Sequence, residues 1–247
     1  MKKELYDSEY YTRGAKNLLL YPIGQLMDWI NLALFEKRFP AGGRILEIGC
    51  GDGKVSRWMS SRGFEVEAID ISKEAIEIAR KYSSQVNYFC GDVFGLHRTG
   101  GYYDAVYCLH VMEHIKEFES NLVEIKRLLK KGGLLVVRIP NIDSLEARLA
   151  GKDWFHWDEP YHVNHWGSDE FKRVLLDVGF GDVRVNFRLL EYKQVLLYSC
   201  LSKIGVGVTS RVKLWTLPLQ VLFVPISIVL GLLFGNSGTV ELIARKS

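Results

Sequence analysis

The sequence predicts an α/β fold in which a mostly parallel sheet carries helices on both faces. Three observations carry that expectation. Strand-like and helix-like stretches alternate from residue 44 onward, a glycine-rich turn joins the first pair, and acidic residues stand at successive strand ends. At 247 residues the chain has room for one such domain with insertions. A net charge of +3, with no basic run interleaved with aromatics, argues against a nucleic-acid partner.

The first strand is the apolar run 44–48 (RILEI), and Gly49-Cys50-Gly51-Asp52-Gly53 turns it into a helix over 54–62. Glycines at alternate positions allow a tight turn and close approach to a ligand. The helix start supplies N–H groups that attract anionic groups. A dinucleotide fingerprint would need its third glycine where Lys54 stands. Glu47, just before the turn, suits a ligand with an amino group better than a pyrophosphate. The second strand (65–71) carries Asp70 near its end, one βαβ step on, where an acid accepts ribose hydroxyls. Ser72 caps a helix over 72–83, with Glu74 and Glu77 near its start. The third strand (86–90) leads into Gly91-Asp92-Val93, where the acid is placed to meet an adenine amino group. The fourth (102–109) leads into His110-Val111-Met112-Glu113-His114; further strands are expected at 133–140, 182–188 and 239–246. Each acid alone reads as a cap or turn residue, but their succession after the glycine turn favours ligand contact.

These segments resemble the class I S-adenosylmethionine-dependent methyltransferases, whose first motif reads E/D-x-G-x-G-x-G; the likeness covers residues 45–140. The resemblance implies a Rossmann-like seven-stranded sheet in the order 3-2-1-4-5-7-6, with strand seven antiparallel. Ligand then binds outside the carboxyl ends of the strands, between strands one and four. It also implies S-adenosylmethionine as cofactor, with S-adenosylhomocysteine as product. Glu47, Gly49, Gly51 and Gly53 match the methionine side of the cofactor, with Cys50, a departure common in these loops, expected beside them, and Asp70 with Ile71 match the ribose and adenine. Asp92 and Val93 match the adenine edge, and Leu109 and His110 the fourth-strand wall. Residues 1–40 read as an amino-terminal arm carrying Tyr6, Tyr10, Tyr11 and Arg13, with Tyr11 expected over the cofactor; simple packing of the arm is the alternative.

The segment 110–114 also spells H-x-x-E-H, a zinc-binding pattern. That reading needs both histidines on one face of a regular helix and a third ligand downstream. Here the segment follows a strand directly, so no metal is expected. Residues 141–166 hold three histidines (156, 162, 165) and three tryptophans (154, 157, 166), which reads as a binding lid or as an aromatic plug over the sheet edge. This stretch resembles a group of bacterial small-molecule methyltransferases with a P-N…S…W…P-x-H…H-F pattern. Pro140, Asn141, Ser144, Trp154, Pro160, His162 and His165 match it, and Trp166 replaces the Phe. A hydroxyl acceptor needs a base, and His162 is the first candidate, His114 the second. For His114, packing against the following helix is the competing role.

Residues 214–240 carry no charge, and 214–234 are long and apolar enough to reach across a bilayer. Pro218 and Pro225 interrupt the run, and Lys203, Arg211 and Lys213 precede it, as near anionic headgroups. Because 239–246 should return to the sheet, residues 191–238 are read as a helical insertion that lies at the membrane face. A tail anchor, or packing on the domain or in a homodimer, are the alternatives. The methyltransferase domain is then 41–190 with 239–247. Four cysteines (50, 90, 108, 200) without a C-x-x-C pair suggest reduced thiols and a cytoplasmic chain, and residues 1–13 lack a secretory pattern. The function expected is O-methylation of a glycan or a lipid-linked, amphiphilic acceptor. A quinone-biosynthesis O-methyltransferase is the alternative, and a non-catalytic membrane-docked module the reading of another class.

Overall fold

A computed structural model describes residues 21–157, 160–188 and 237–247, with scattered positions between 197 and 229. Its sheet has seven strands in the order β3-β2-β1-β4-β5-β7-β6. They are β1 (Arg44–Ile48), β2 (Glu65–Asp70), β3 (Asn87–Cys90), β4 (Tyr103–Leu109), β5 (Leu129–Pro140), β6 (Phe180–Phe187) and β7 (Thr239–Lys246). The first five pair in parallel, and β7 runs antiparallel between β5 and β6. This is the order and the direction that the resemblance implies.

The central strands are continuously apolar because both faces are covered. On β1, Leu46 and Ile48 enter one core with Val106, Val137 and Leu242, while Ile45 enters the other with Phe35, Met59 and Tyr107. The helices in chain order are α1 (Tyr21–Glu36), α2 (Lys54–Ser61), α3 (Lys73–Tyr82), α4 (Phe118–Leu128), α5 (Leu145–Ala150) and α6 (Ser168–Asp177). Just beyond the end of β2, Ser72 caps α3, its hydroxyl accepting from the Ala75 amide at 3.2 Å. At the end of α1, Phe35 packs edge-on against Tyr107, with centroids 5.3 Å apart.

Two strand starts lie earlier than the sequence pattern suggests, for a common reason. β5 begins at Leu129, pairing with Tyr103 before a register shift, so its charged opening at Lys130 and Lys131 is an exposed bulged strand instead of a loop. β6 begins at Phe180 and shifts register between Gly181 and Arg184, with Asp182 at φ +47°. The carboxyl-terminal topology follows from β7. Phe187 pairs with Val240, and the Arg188 amide donates to the Thr239 carbonyl at 3.0 Å. The chain thus leaves the sheet at 188 and is back in it at 239, at adjacent positions, and the expected insertion over 191–238 falls, apart from scattered positions, outside the described residues. Among the described residues no helix is long and apolar enough to cross a membrane.

Candidate functional site

A cavity of about 410 Å³ opens at the carboxyl ends of the first four strands, beside the point where the chain reverses direction across the sheet. Its floor is the glycine turn. Gly49, Gly51 and Gly53 have φ of +73°, +53° and +76°, which a side chain would strain. A Cβ on Gly49 would overlap Val111, which packs directly on it, and one on Gly53 would overlap the Tyr88 hydroxyl. The Gly49 and Cys50 amides donate to the Ile69 carbonyl at 2.8 and 3.0 Å, which ties the turn to the end of β2. Asp70 is buried at this junction. Its two carboxylate oxygens accept from the Gly51 and Ser72 amides, each at 2.9 Å, so its orientation is fixed by backbone on both sides. Asp92 is held in the same manner: its Oδ1 accepts from the Phe94 and Gly95 amides, both at 3.1 Å.

The opposite wall follows β4. His110 takes the left-handed conformation at φ +57°, uncommon for a residue with a side chain. A single 3-10 turn, Met112–His114, comes next, so the regular helix that an H-x-x-E-H zinc motif requires does not form. Instead, residues 161–164, from the segment that follows β5, clamp onto this turn. The Glu113 carbonyl accepts from the Val163 and Asn164 amides at 2.8 and 3.1 Å, and the Asn164 side chain donates to the Ile115 carbonyl at 2.7 Å. His114 Nδ1 donates to the Tyr161 carbonyl at 2.9 Å, and His162 Nδ1 donates to the His156 carbonyl at 2.7 Å. The two imidazole rings end 4.7 Å apart, edge to face. Below them lies Glu113, only 1 % exposed. Burial alone would raise its pKa, yet the hydrogen bond and charge of His110, with His114 and His162 nearby, hold it below the ordinary carboxylate value.

Asn141 anchors the lid to the sheet. It is fully buried, its side chain donates to the Ser237 carbonyl at 3.1 Å, and its amide donates to the Gly238 carbonyl at 3.0 Å. Trp154 meets His156 and Trp157 edge-on at 5.3 and 5.5 Å. The segment is thus a packed aromatic unit fastened to both β7 and the β4 turn.

Of the residues expected at the cofactor, Gly49, Gly51, Asp70, Ile71, Asp92, Val93 and His110 line the cavity, as does His114. Glu47, Cys50, Gly53 and Leu109 stand behind the lining. Glu47 is buried under the turn, accepting from the Ser56 hydroxyl, and burial pushes its pKa up to about 8. Its position follows from strand alternation: Ile48 faces the cavity side, so Glu47 faces away. His162 reaches the site through His114 and not through the lining itself. Tyr11 lies outside the described residues. Sequence reasoning did not single out Val111, Ile115, Ser120 and Asn121, which the turn and α4 bring to the cavity. Their signal was positional only, as residues following a strand end.

The fold, the glycine floor and the acids at successive strand ends define a nucleoside-binding α/β domain with its ligand site at the sheet's switch point. A profile described as a methyltransferase domain matches residues 21–185, more than half of the chain, and the chain belongs to that family. The chain is 36 % identical over 116 residues to a ubiquinone biosynthesis O-methyltransferase of Xanthomonas axonopodis pv. citri, covering 45 % of this chain and 48 % of that one. It is 30 % identical over 147 residues to a malonyl-[acyl-carrier protein] O-methyltransferase of Enterobacter lignolyticus, covering 59 % and 56 %. The chain thus spans about half the length of these relatives. In fold it is similar to a SAM-dependent methyltransferase from Archaeoglobus fulgidus, with TM-score 0.63, 19 % identity, and 96 % and 97 % of the two chains covered. A phosphoethanolamine N-methyltransferase of Haemonchus contortus, solved with S-adenosylmethionine, aligns at TM-score 0.60 and 21 % identity over 88 % of this chain and 52 % of that one.

Proposed function

We propose that this protein transfers the methyl group of S-adenosylmethionine to a hydroxyl oxygen of a small amphiphilic acceptor, a glycan or a lipid-linked molecule. The observation that carries the reading is the meeting of His114 and His162 beside the buried anion Glu113, next to the glycine-floored cavity. The cavity fits the cofactor: its floor is backbone that side chains would fill, and its volume lies in the range of roughly 300–1,000 Å³ usual for small-molecule sites. When bound, S-adenosylmethionine supplies an activated methyl on a positively charged sulfur, which departs as a neutral thioether.

The residues then have distinct tasks. Asp70 accepts the ribose hydroxyls, with Ile71 and Val93 packing the adenine and Asp92 at its amino edge. Gly49 and Gly51 let the methionine portion approach the backbone. Glu47, Cys50 and Gly53 act from behind, shaping the turn, and Leu109 backs the wall that His110 presents. Tyr11, on the arm, closes over the cofactor. His162 takes the acceptor's proton, with His114 the second candidate, while the lid excludes water and aligns the oxygen for in-line attack. Residues 203–238 hold the enzyme at the cytoplasmic face of a membrane, where such an acceptor is found.

The similarity to ubiquinone biosynthesis O-methyltransferases favours a second reading, in which the acceptor is a quinone precursor. Incubation with methyl-labelled S-adenosylmethionine and a lipid extract tests both. Label in a glycan or glycolipid supports the first reading, and label in a prenylated aromatic supports the second. Absence of label from every hydroxyl-bearing product, despite cofactor binding, contradicts both and favours a cofactor-binding module without catalysis.

A further inference from the structure

We infer that Glu113, His114 and His162 form a binding site for a transition-metal dication on the acceptor side of the cavity. Ligand-capable atoms of the three residues all lie within 4.8 Å of one another. The second, independent observation is Glu113 itself. It is 1 % exposed, its Oε1 is engaged by His110 Nδ1 at 3.3 Å, and its Oε2 is buried with no hydrogen-bond partner among the described residues. A buried carboxylate oxygen left in this way is costly unless something positive reaches it.

The histidine geometry agrees. A carbonyl only accepts, so Nδ1 of His114 and of His162 must carry the proton, given to the Tyr161 and His156 carbonyls. In the neutral ring this fixes the lone pair on Nε2. Metal-binding histidines are commonly oriented in this manner, by a backbone carbonyl on the other nitrogen. A dication about 2.1 Å from each donor draws tetrahedral donors to roughly 3.4 Å apart. The rings and the carboxylate therefore need to close by about 1.4 Å at most. Two imidazoles and one carboxylate, with the remaining positions open, suit zinc or a divalent iron-series ion and not magnesium, which prefers all-oxygen shells.

The site differs from the zinc arrangement that H-x-x-E-H spells: its third ligand comes from the lid, 48 residues beyond His114. Its placement beside His110 and His114, which line the cavity, puts an open coordination position where the acceptor enters. This purpose rests on the methyl-transfer reading: with the cation bound, His162 Nε2 is a ligand and no longer the base, and the cation takes over its task by lowering the acceptor hydroxyl's pKa, the proton passing to water. The site itself does not rest on that reading.

The test is titration of the chelator-stripped full chain with Co²⁺, read by visible absorption, which reports nitrogen and oxygen ligation directly. One Co²⁺ per chain is expected, displaced by Zn²⁺. Affinity should fall by about 100-fold or more in His162→Ala and in Glu113→Gln, and stay unchanged in Cys90→Ser/Cys200→Ser, which removes the exposed thiols. His162→Ala lies on the lid, and circular dichroism verifies its fold independently. No spectrum in the wild type, or an equal one in folded His162→Ala, overturns the assignment. Calorimetry with S-adenosylmethionine on the same samples separates this result from failure of the methyl-transfer reading, because cofactor binding does not require the cation.

Discussion

At the scale of single residues, the direction a side chain takes from its strand decides what each acid of the site does. The acids Asp70 and Asp92 are found at the cavity because strand ends in a parallel sheet share one rim. Glu47 belongs to the same motif yet points beneath the turn, since one residue along a strand reverses the face. That burial gives a pH signature. Its folded pKa of about 8 exceeds the usual 4.5, so between these values the unfolded chain releases a proton that the folded chain keeps. Glu47 therefore lowers stability progressively as pH rises from about 4.5 to 8, with no further change above. Thermal melts of Glu47→Gln should accordingly show a variant that gains on the wild type through that window, by up to a few kcal/mol; parallel pH profiles would contradict the assignment. His162 could be singled out as an imidazole in an aromatic lid, whereas its contact with His114 could not be foreseen, because the clamp is made by backbone groups of Val163 and Asn164. His162→Ala should retain S-adenosylmethionine affinity and reduce turnover by about 100-fold. Unchanged turnover in the labelled-methyl assay would remove it from the mechanism.

At the scale of elements, β7 ties the fold together. Its Glu241 is fully buried and receives Arg138 at 2.7 Å and Arg38 at 2.6 Å, which links β5, β7 and the segment after α1. One carboxylate between two guanidinium groups is worth little compared with an apolar replacement of all three, but removing it alone strands two cations. Urea unfolding of Glu241→Gln should show a loss of about 3–5 kcal/mol, and a loss below about 1 kcal/mol would refute the role given to the triad. None of this was visible in the sequence, where TVELIARK reads as a strand with one charge out of place. The strand identities themselves were plain, because apolar runs of five to eight residues bounded by glycine, serine and acids admit little else. Their starts were not, since register shifts between Leu129 and Leu134 and between Gly181 and Arg184 put charged residues inside β5 and β6. Amphipathic α2 and α3 were equally clear, each opening at a capping position, Gly53 and Ser72.

At the scale of the whole molecule, β6 and β7 bring residues 188 and 239, which flank the segment containing the uncharged stretch, side by side at one edge of the sheet. Liposomes containing anionic lipid should pellet the full chain and lose most of it when residues 203–238 are deleted. Equal pelleting of both would place the contact elsewhere or remove it. Every role given to the molecule requires the cavity at the switch point to hold a sulfonium nucleoside against Asp70. Isothermal titration with S-adenosylmethionine tests this most directly, comparing wild type with Asp70→Asn, which removes the charge and keeps an acceptor for one of the Gly51 and Ser72 amides, its NH2 replacing the oxygen that met the other. One-to-one binding tighter than about 1 mM, weakened roughly 10- to 100-fold in the variant, is the predicted result. No measurable heat from the wild type, or equal affinity in both proteins, would contradict it.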